Sequence, residues 1–226
     1  MFQVSKRHHQ INTKTMKLKA VKIVHWQVWL LFLMISALIQ GQLKAKPLQL
    51  DSDTIIMGGG CFWCIEPIME SLDGVMNATS GYAGGTSKAP TYKSICSGKT
   101  GHAEVVQVTY DKTRISLTQL LEVFFESHDP TTLNRQGADI GSQYRSIILY
   151  RTEEQKQIVD QFILSISKHY RVPIVTEISL SSQFYEAEQY HQDYFLTNKS
   201  NRYCTMIIEP KLKKVKEQFS TIMNQQ

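Results

Sequence analysis

Gly58-Gly59-Gly60 divides an apolar run at 53–57 from a stretch with Ile65, Ile68, Met69 and Leu72 at helical spacing. Apolar residues recurring every three or four positions mark one face of a helix. The segment therefore reads as a strand, a flexible turn and a helix, with Cys61 at the turn. Proline is tolerated in a helix only in its first turn, so Pro67 sets the helix start just after Cys61. Gly74 ends that helix. Residues 75–82 read as a strand, and 103–110 as a second, central one. Ser116-Leu-Thr-Gln119 is a capping box opening a helix whose stripe is Leu117, Leu120, Leu121, Phe124 and Phe125. A long loop at 128–143 follows, and such loops in compact domains often carry function. Beyond it the expectation is a strand at 145–151, a second capping box at Thr152–Gln155 with a helix to Tyr170, and a strand at 174–180. An aromatic-rich helix at 184–196 and a solvated terminal helix from Pro210 complete the order. That order, β-α-β-β-α-β-α-β-α, describes one α+β domain with helices packed on a mixed sheet.

Charge separates the N-terminus from this body. Residues 1–45 hold seven Lys/Arg and no Asp/Glu, whereas 46–226 hold 18 Lys/Arg against 20 Asp/Glu, a net of −2. The overall +5 therefore does not argue for nucleic acid. Within the basic segment, residues 28–39 form a twelve-residue run whose one polar member is Ser36. A basic region, a short apolar run and small residues before Pro47 resemble a secretory signal, and Met16 opens a tidier version of it. Counting back to Val21 makes residues 21–39 an alternative membrane anchor, although the apolar run alone falls short of the roughly 20 residues that span a bilayer. Residues 1–45 are thus set apart as signal peptide or anchor, and 46–226 as the folded domain. Export to the periplasm or another extracytoplasmic space follows, with membrane contact only through that segment.

The chemistry centres on Cys61-Phe62-Trp63-Cys64. Backbone N–H groups and the positive dipole end at a helix start stabilise a thiolate, so Cys61 is expected to have a lowered pKa and to act as nucleophile. Isolated aromatics usually fill a core, but Phe62 and Trp63 flank this thiol and suit an apolar wall for a small substrate group. Three readings compete for the Cys-x-x-Cys pair. A structural zinc site needs four ligands, and Cys96 and Cys204 stand alone, so no metal is expected. A thioredoxin-like dithiol ordinarily carries Trp before the first Cys and Pro between the pair, and neither is present. Two incidental buried thiols fit an exposed glycine turn poorly.

The blocks GCFWC, GYAGG (81–85), PTYKSICSGKTGHAEVVQVTYD (90–111), FFESHDPTTLNRQGADIGSQYRS (124–146), TEI (176–178), FYEAEQYHQDY (184–194) and Tyr203-Cys204 together resemble the peptide methionine sulfoxide reductase A family over roughly 53–217. The resemblance implies an α+β two-layer sandwich around a mixed sheet, and reduction of methionine-S-sulfoxide in proteins and free, with no cofactor. It implies Cys61 as nucleophile and Glu104 as the general acid, whose pKa burial should raise. Tyr92 and Tyr144 would hold the sulfoxide oxygen, and Phe62 and Trp63 would form the methyl pocket, with Asp139 close by. His191 lies in a matching block, as a structural hydrogen-bonded histidine or a site residue. Attack leaves Cys61 as a sulfenic acid, condensed to a disulfide by a second thiol. Cys204, in a flexible region after the last core helix, matches the usual resolving position, and Cys64 is its rival. Cys96 is expected to be a buried structural thiol. The resemblance further implies a thioredoxin-like reductant, a monomer, no three-thiol relay, since no Cys follows Cys204, and no second domain for the opposite epimer. A general thiol–disulfide oxidoreductase using Cys61 and Cys64 is the first rival reading, and a metal-binding module the second.

Overall fold

The computed structural model describes Trp29 and residues 51–224. Residues 1–45, with their signal or anchor reading, lie outside the described residues apart from Trp29. Leu50–Gln226 forms one compact unit. Among the described residues no helix is long and apolar enough to cross a membrane.

Strand β1 (Ser52–Gly58) runs into the glycine turn and helix α1 (Phe62–Glu70). After β2 (Val75–Ala83), the five-residue helix α2 (Tyr92–Cys96) precedes β3 (Ala103–Asp111) and α3 (Leu117–Glu126). The long loop carries a small hairpin, β4 (Arg135–Gln136) and β5 (Asp139–Ile140), and a 3₁₀ turn at Ser142–Tyr144. Next come β6 (Ile147–Tyr150), α4 (Glu153–Ser167), β7 (Glu177–Leu180) and β8 (Tyr185–Glu186). A 3₁₀ turn at Gln189–His191, short α5 (Tyr194–Thr197), a π turn at Cys204–Ile208 and α6 (Glu209–Gln218) follow, with a last 3₁₀ turn at Ser220–Ile222.

The six-stranded sheet has the order β7-β6-β1-β3-β2-β8, antiparallel except for the parallel β6–β7 pair. It is mixed, as the sequence predicts, and β3 sits inside it. Alternation sorts the strands' side chains to two faces. Ile55, Met57, Val106, Val108 and Tyr110 join the apolar stripes of α1, α3, α4 and α6 in the larger core. Ile56, Ala83, Val105, Ile147 and Leu149 form a smaller cluster on the other face, covered by Phe184. The terminal helix is not merely solvated, because Leu212 and Val215 are buried in the larger core.

Local chemistry accounts for most boundaries. Ser116 and Gln119 form the full reciprocal capping box. Thr152 accepts the Gln155 N–H, but the Gln155 side chain accepts from Arg151, so that cap is one-sided. Pro67 lies in the second turn of α1 and not the first, and the helix ends four residues later at Ser71. A proline there removes one ladder bond, which a nine-residue helix anchored by Ile65, Ile68 and Met69 tolerates. The expected helix at 184–196 is instead an edge strand, a 3₁₀ turn and one short helical turn. Its polar side chains bond across the fold: Gln192 accepts the Ser80 N–H at 3.0 Å and donates to the Ser80 carbonyl at 2.9 Å. Satisfying distant backbone in this way competes with a continuous helix.

Candidate active site

The glycine turn is shaped by what packs on it. A Cβ at Gly59 would lie 2.7 Å from Cγ of His128. His128 cannot retreat, because its ring bonds the Phe124 carbonyl and Ser146 Oγ, each at 2.7 Å. Gly60 has φ +93°, which L side chains rarely adopt. Together these place Cys61 as the N-cap of α1, with no side-chain capping bond to occupy its sulfur.

Glu104 comes to the same point from β3, opposite Tyr82 of β2 in the ladder. Its Oε2 accepts the Phe62 N–H at 3.2 Å, which sets its carboxyl beside the neighbouring Cys61. Only 1% of Glu104 is exposed, and burial raises its pKa to about 8, with the Phe62 bond opposing the rise and Asp139 adding to it. The expected depression of the Cys61 pKa does not occur. Burial and then the Glu104 charge push that thiol well above its ordinary value, and the Trp63 N–H offsets them only in part. One backbone donor at a helix start is outweighed by desolvation and an adjacent acid. The resting pair near neutrality is a thiol and a protonated carboxyl.

Aromatic rings enclose this pair. Phe62 is buried, 5.9 Å from Tyr82 and 5.1 Å from His191 between ring centroids. Trp63 is half-buried and stacks on Tyr194 at 3.6 Å. Tyr92 and Tyr144 are half-buried, and each feels the charge of Glu104, after burial in both cases and, for Tyr92, after Cys96. Asp139, on β5, accepts the Tyr203 hydroxyl at 3.2 Å, and that hydroxyl lies 3.8 Å from Cys64 Sγ. Packing thus brings Cys61, Phe62, Trp63 and Tyr92 together with Glu104, and Cys64 and Asp139 meet at Tyr203, while Tyr144 ends the 3₁₀ turn Ser142–Tyr144.

Three expectations about individual residues need correction. Cys96 is exposed, not buried, because the five-residue α2 turns only Ile95 into the core. Cys204 is not in a flexible region: it is fully buried in the π turn, packed with Cys64 and Ile208 in a small cluster rimmed by Trp63, Tyr194 and Tyr203. His191 is buried, but neither ring nitrogen has a hydrogen-bond partner. Sequence reasoning also missed residues. Tyr203 links Asp139 to Cys64, and its position beside Cys204 was the available signal. Glu188 was missed as well; its two oxygens accept the Tyr92 N–H at 2.9 Å and the Tyr82 hydroxyl at 2.8 Å. Nothing local marks the Glu188 role.

Among the described residues no group of three or more His, Cys, Asp or Glu could hold a metal ion. A family model described as peptide methionine sulfoxide reductase matches residues 53–223. The chain belongs to this family. A peptide methionine sulfoxide reductase MsrA of Haloquadratum walsbyi is 56% identical over 169 residues, which cover 75% of this chain and 97% of that one. The MsrA of Trichodesmium erythraeum is 53% identical, with 74% of this chain and 96% of the relative covered. Among solved structures, Mxr1 of Saccharomyces cerevisiae in reduced form is similar at TM-score 0.66 and 34% identity, over 69% of this chain and 91% of that one. The methionine sulfoxide reductase A of Corynebacterium diphtheriae is similar at TM-score 0.61 and 34% identity, over 71% and 80%. This peptide methionine sulfoxide reductase therefore has the α+β fold of its family, as the element order and mixed sheet imply.

Proposed function

We propose that this methionine sulfoxide reductase converts methionine-S-sulfoxide, in proteins and free, to methionine through a sulfenic acid on Cys61. The observation that carries the roles is the meeting of half-buried Cys61 and buried Glu104 at the start of α1, where Glu104 Oε2 accepts the Phe62 N–H at 3.2 Å and burial raises its pKa to about 8. Tyr92 and Tyr144 hold the sulfoxide oxygen, Phe62 and Trp63 receive the methyl group, and Asp139 steadies Tyr203. As the Cys61 sulfur attacks the sulfoxide sulfur, Glu104 gives its proton to the oxygen and its carboxylate takes the thiol proton. Oxygen ends on Cys61 as S–OH and methionine leaves, so the substrate gains the two electrons the thiol loses. A neutral resting pair suits this exchange, because the thiolate is generated only when a substrate oxygen draws the Glu104 proton away.

Cys204 then attacks the sulfenic acid, expelling water and forming a disulfide that a thioredoxin-like dithiol reduces by thiol exchange. A second reading makes Cys64 the first partner. It is favoured by position, one helical turn from Cys61, with its N–H bonding the Cys61 carbonyl at 3.0 Å. We infer that the enzyme acts as a monomer. Residues 1–45 export it, or residues 21–39 tether it to a membrane, on the strength of the basic–apolar–small pattern; cell fractionation with N-terminal sequencing tests that. The deciding test of activity is turnover of separated sulfoxide epimers with a dithiol. Reduction of S and not R is expected, and disulfide reduction without sulfoxide turnover would refute it.

A further inference from the structure

We propose that Glu188 and His191 are positioning residues that set the gap between the oxygen-binding and methyl-binding sides of the substrate pocket. The proposal rests on the pocket roles given above. Glu188 opens the 3₁₀ turn Gln189–His191 and points its carboxylate at two elements at once. One oxygen accepts the N–H of Tyr92, the first residue of α2, which has no partner within its own helix. The other accepts the hydroxyl of Tyr82, which faces Glu104 across the β2–β3 ladder. A single side chain thus ties the Tyr92 backbone to the strand pair that carries the acid. Burial disfavours the carboxylate, but the hydrogen bonds from Tyr92 and Tyr82 and the nearby His191 hold its pKa below the usual value.

His191 fills the remaining gap. Its ring centroid lies 4.5 Å from Tyr92, 5.1 Å from Phe62 and 5.5 Å from Trp63, so it touches both the tyrosine and the methyl wall. It is 1% exposed, and its nitrogens make no hydrogen bond, the nearest carboxylate being Glu188 Oε2 at 4.0 Å from Nε2. A buried side chain held by ring contacts to Tyr92 and to both wall residues acts as a spacer, and its size fixes how far Tyr92 stands from the methyl wall. The arrangement needs both members: Glu188 fixes Tyr92 along the pocket, and His191 fixes it across.

A double-mutant cycle on the full chain tests this, with single-turnover kcat/KM for methyl sulfoxide as readout. Displacement of a reacting group by about 1 Å costs on the order of 10²-fold, so Glu188→Ala should lose about that much. In a Tyr92→Phe background, where no hydroxyl remains to misplace, the same change should lose only about threefold, because coupled residues fail to add. Glu188→Gln, which keeps an acceptor for the Tyr92 N–H, should recover most of the loss and serves if the alanine variant fails to fold. His191→Ala should raise the ethyl-to-methyl sulfoxide selectivity about tenfold, within the range a methylene commands in an apolar pocket, and His191→Phe should restore it. Equal losses from Glu188→Ala in both backgrounds, or unchanged selectivity in His191→Ala, would overturn the proposal. Wild-type rates in Tyr92→Phe would overturn it by removing the Tyr92 role, while absent S-sulfoxide turnover in the wild type would instead fault the underlying activity.

Discussion

Replacing Glu104 by Gln separates the two consequences of burying a carboxyl beside a thiol. The ordinary pKa of 4.5 rises to about 8 in the folded protein, chiefly through burial. Between those values the folded state keeps a proton that the unfolded state has released. The stabilisation is therefore complete below about pH 4.5, declines as pH rises, and is gone above about pH 8. A gap of about 3.5 units at about 1.4 kcal/mol per unit corresponds to roughly 5 kcal/mol, an upper bound because water entry softens burial. Glutamine is neutral at every pH and fills the same space, so it removes this dependence. Glu66, raised to about 7, and Glu70, raised to about 8, both mainly by burial, contribute equally to both proteins. The difference between wild type and variant isolates Glu104. Urea denaturation at pH 5, 7 and 8.5 should show the wild type losing several kcal/mol more than Glu104→Gln across that range. Equal slopes would refute the burial argument. The catalytic counterpart is measured without a reductant, as methionine released in one turnover. Wild type should slow above about pH 8 as the proton donor is lost. The variant should be about 10²–10⁴-fold slower, the usual worth of general acid catalysis, with that alkaline decline removed. A variant at the wild-type rate would remove Glu104 from the mechanism.

Cys61→Ser should abolish even the first turnover, so one equivalent of methionine from that variant would reassign the nucleophile. Cys204→Ser should complete one reduction and stall as a sulfenic acid, losing thioredoxin-linked turnover but retaining part of that with a small dithiol, whereas Cys64→Ser should keep thioredoxin-linked turnover. Peptide mapping after one turnover decides between them: a Cys61–Cys64 bond in the wild type with Cys204 free would overturn the choice of Cys204. Gly59→Ala forces a Cβ against the doubly hydrogen-bonded His128 ring and should cost about 1–3 kcal/mol, the usual range for overpacking; an unshifted urea midpoint would show that the ring can yield.

What could be read from the sequence was what short-range chemistry controls. The glycine turn before Cys61, the apolar spacing of α1 and the reciprocal cap of α3 each depend on residues within one turn of one another. The failures involve partners far apart in the chain. At 184–196 the polar side chains serve Ser80, Tyr82 and Tyr92, about a hundred positions earlier, and no periodicity records that. The five-residue α2 is too short for an apolar stripe, so its exposed Cys96 was misplaced. The blocks name candidate site residues, but Tyr203 and Glu188 act through long-range contacts that only the packed fold creates.

The Cys61 pKa shows why such errors gather at the site. A helix start alone argues for a thiolate, and in an exposed dithiol that argument would decide the matter. Here the turn is half-buried beside Phe62 and Trp63, and a carboxylic acid, Glu104, arrives from β3. Desolvation penalises both charged forms, so each group holds its proton and neither can ionise without help from the other. A thiol kept protonated reacts slowly with oxidants in bulk solvent, because the thiolate is the reactive species. Reactivity is then conditional on a ligand that supplies an oxygen for the Glu104 proton and leaves a carboxylate to draw the proton from Cys61. Burial that would disable a general thiol–disulfide oxidoreductase therefore suits an enzyme whose substrate carries its own proton acceptor. It also explains why the pair is walled by aromatic rings: opening that wall to water would lower both pKa values and expose a thiolate in the absence of substrate.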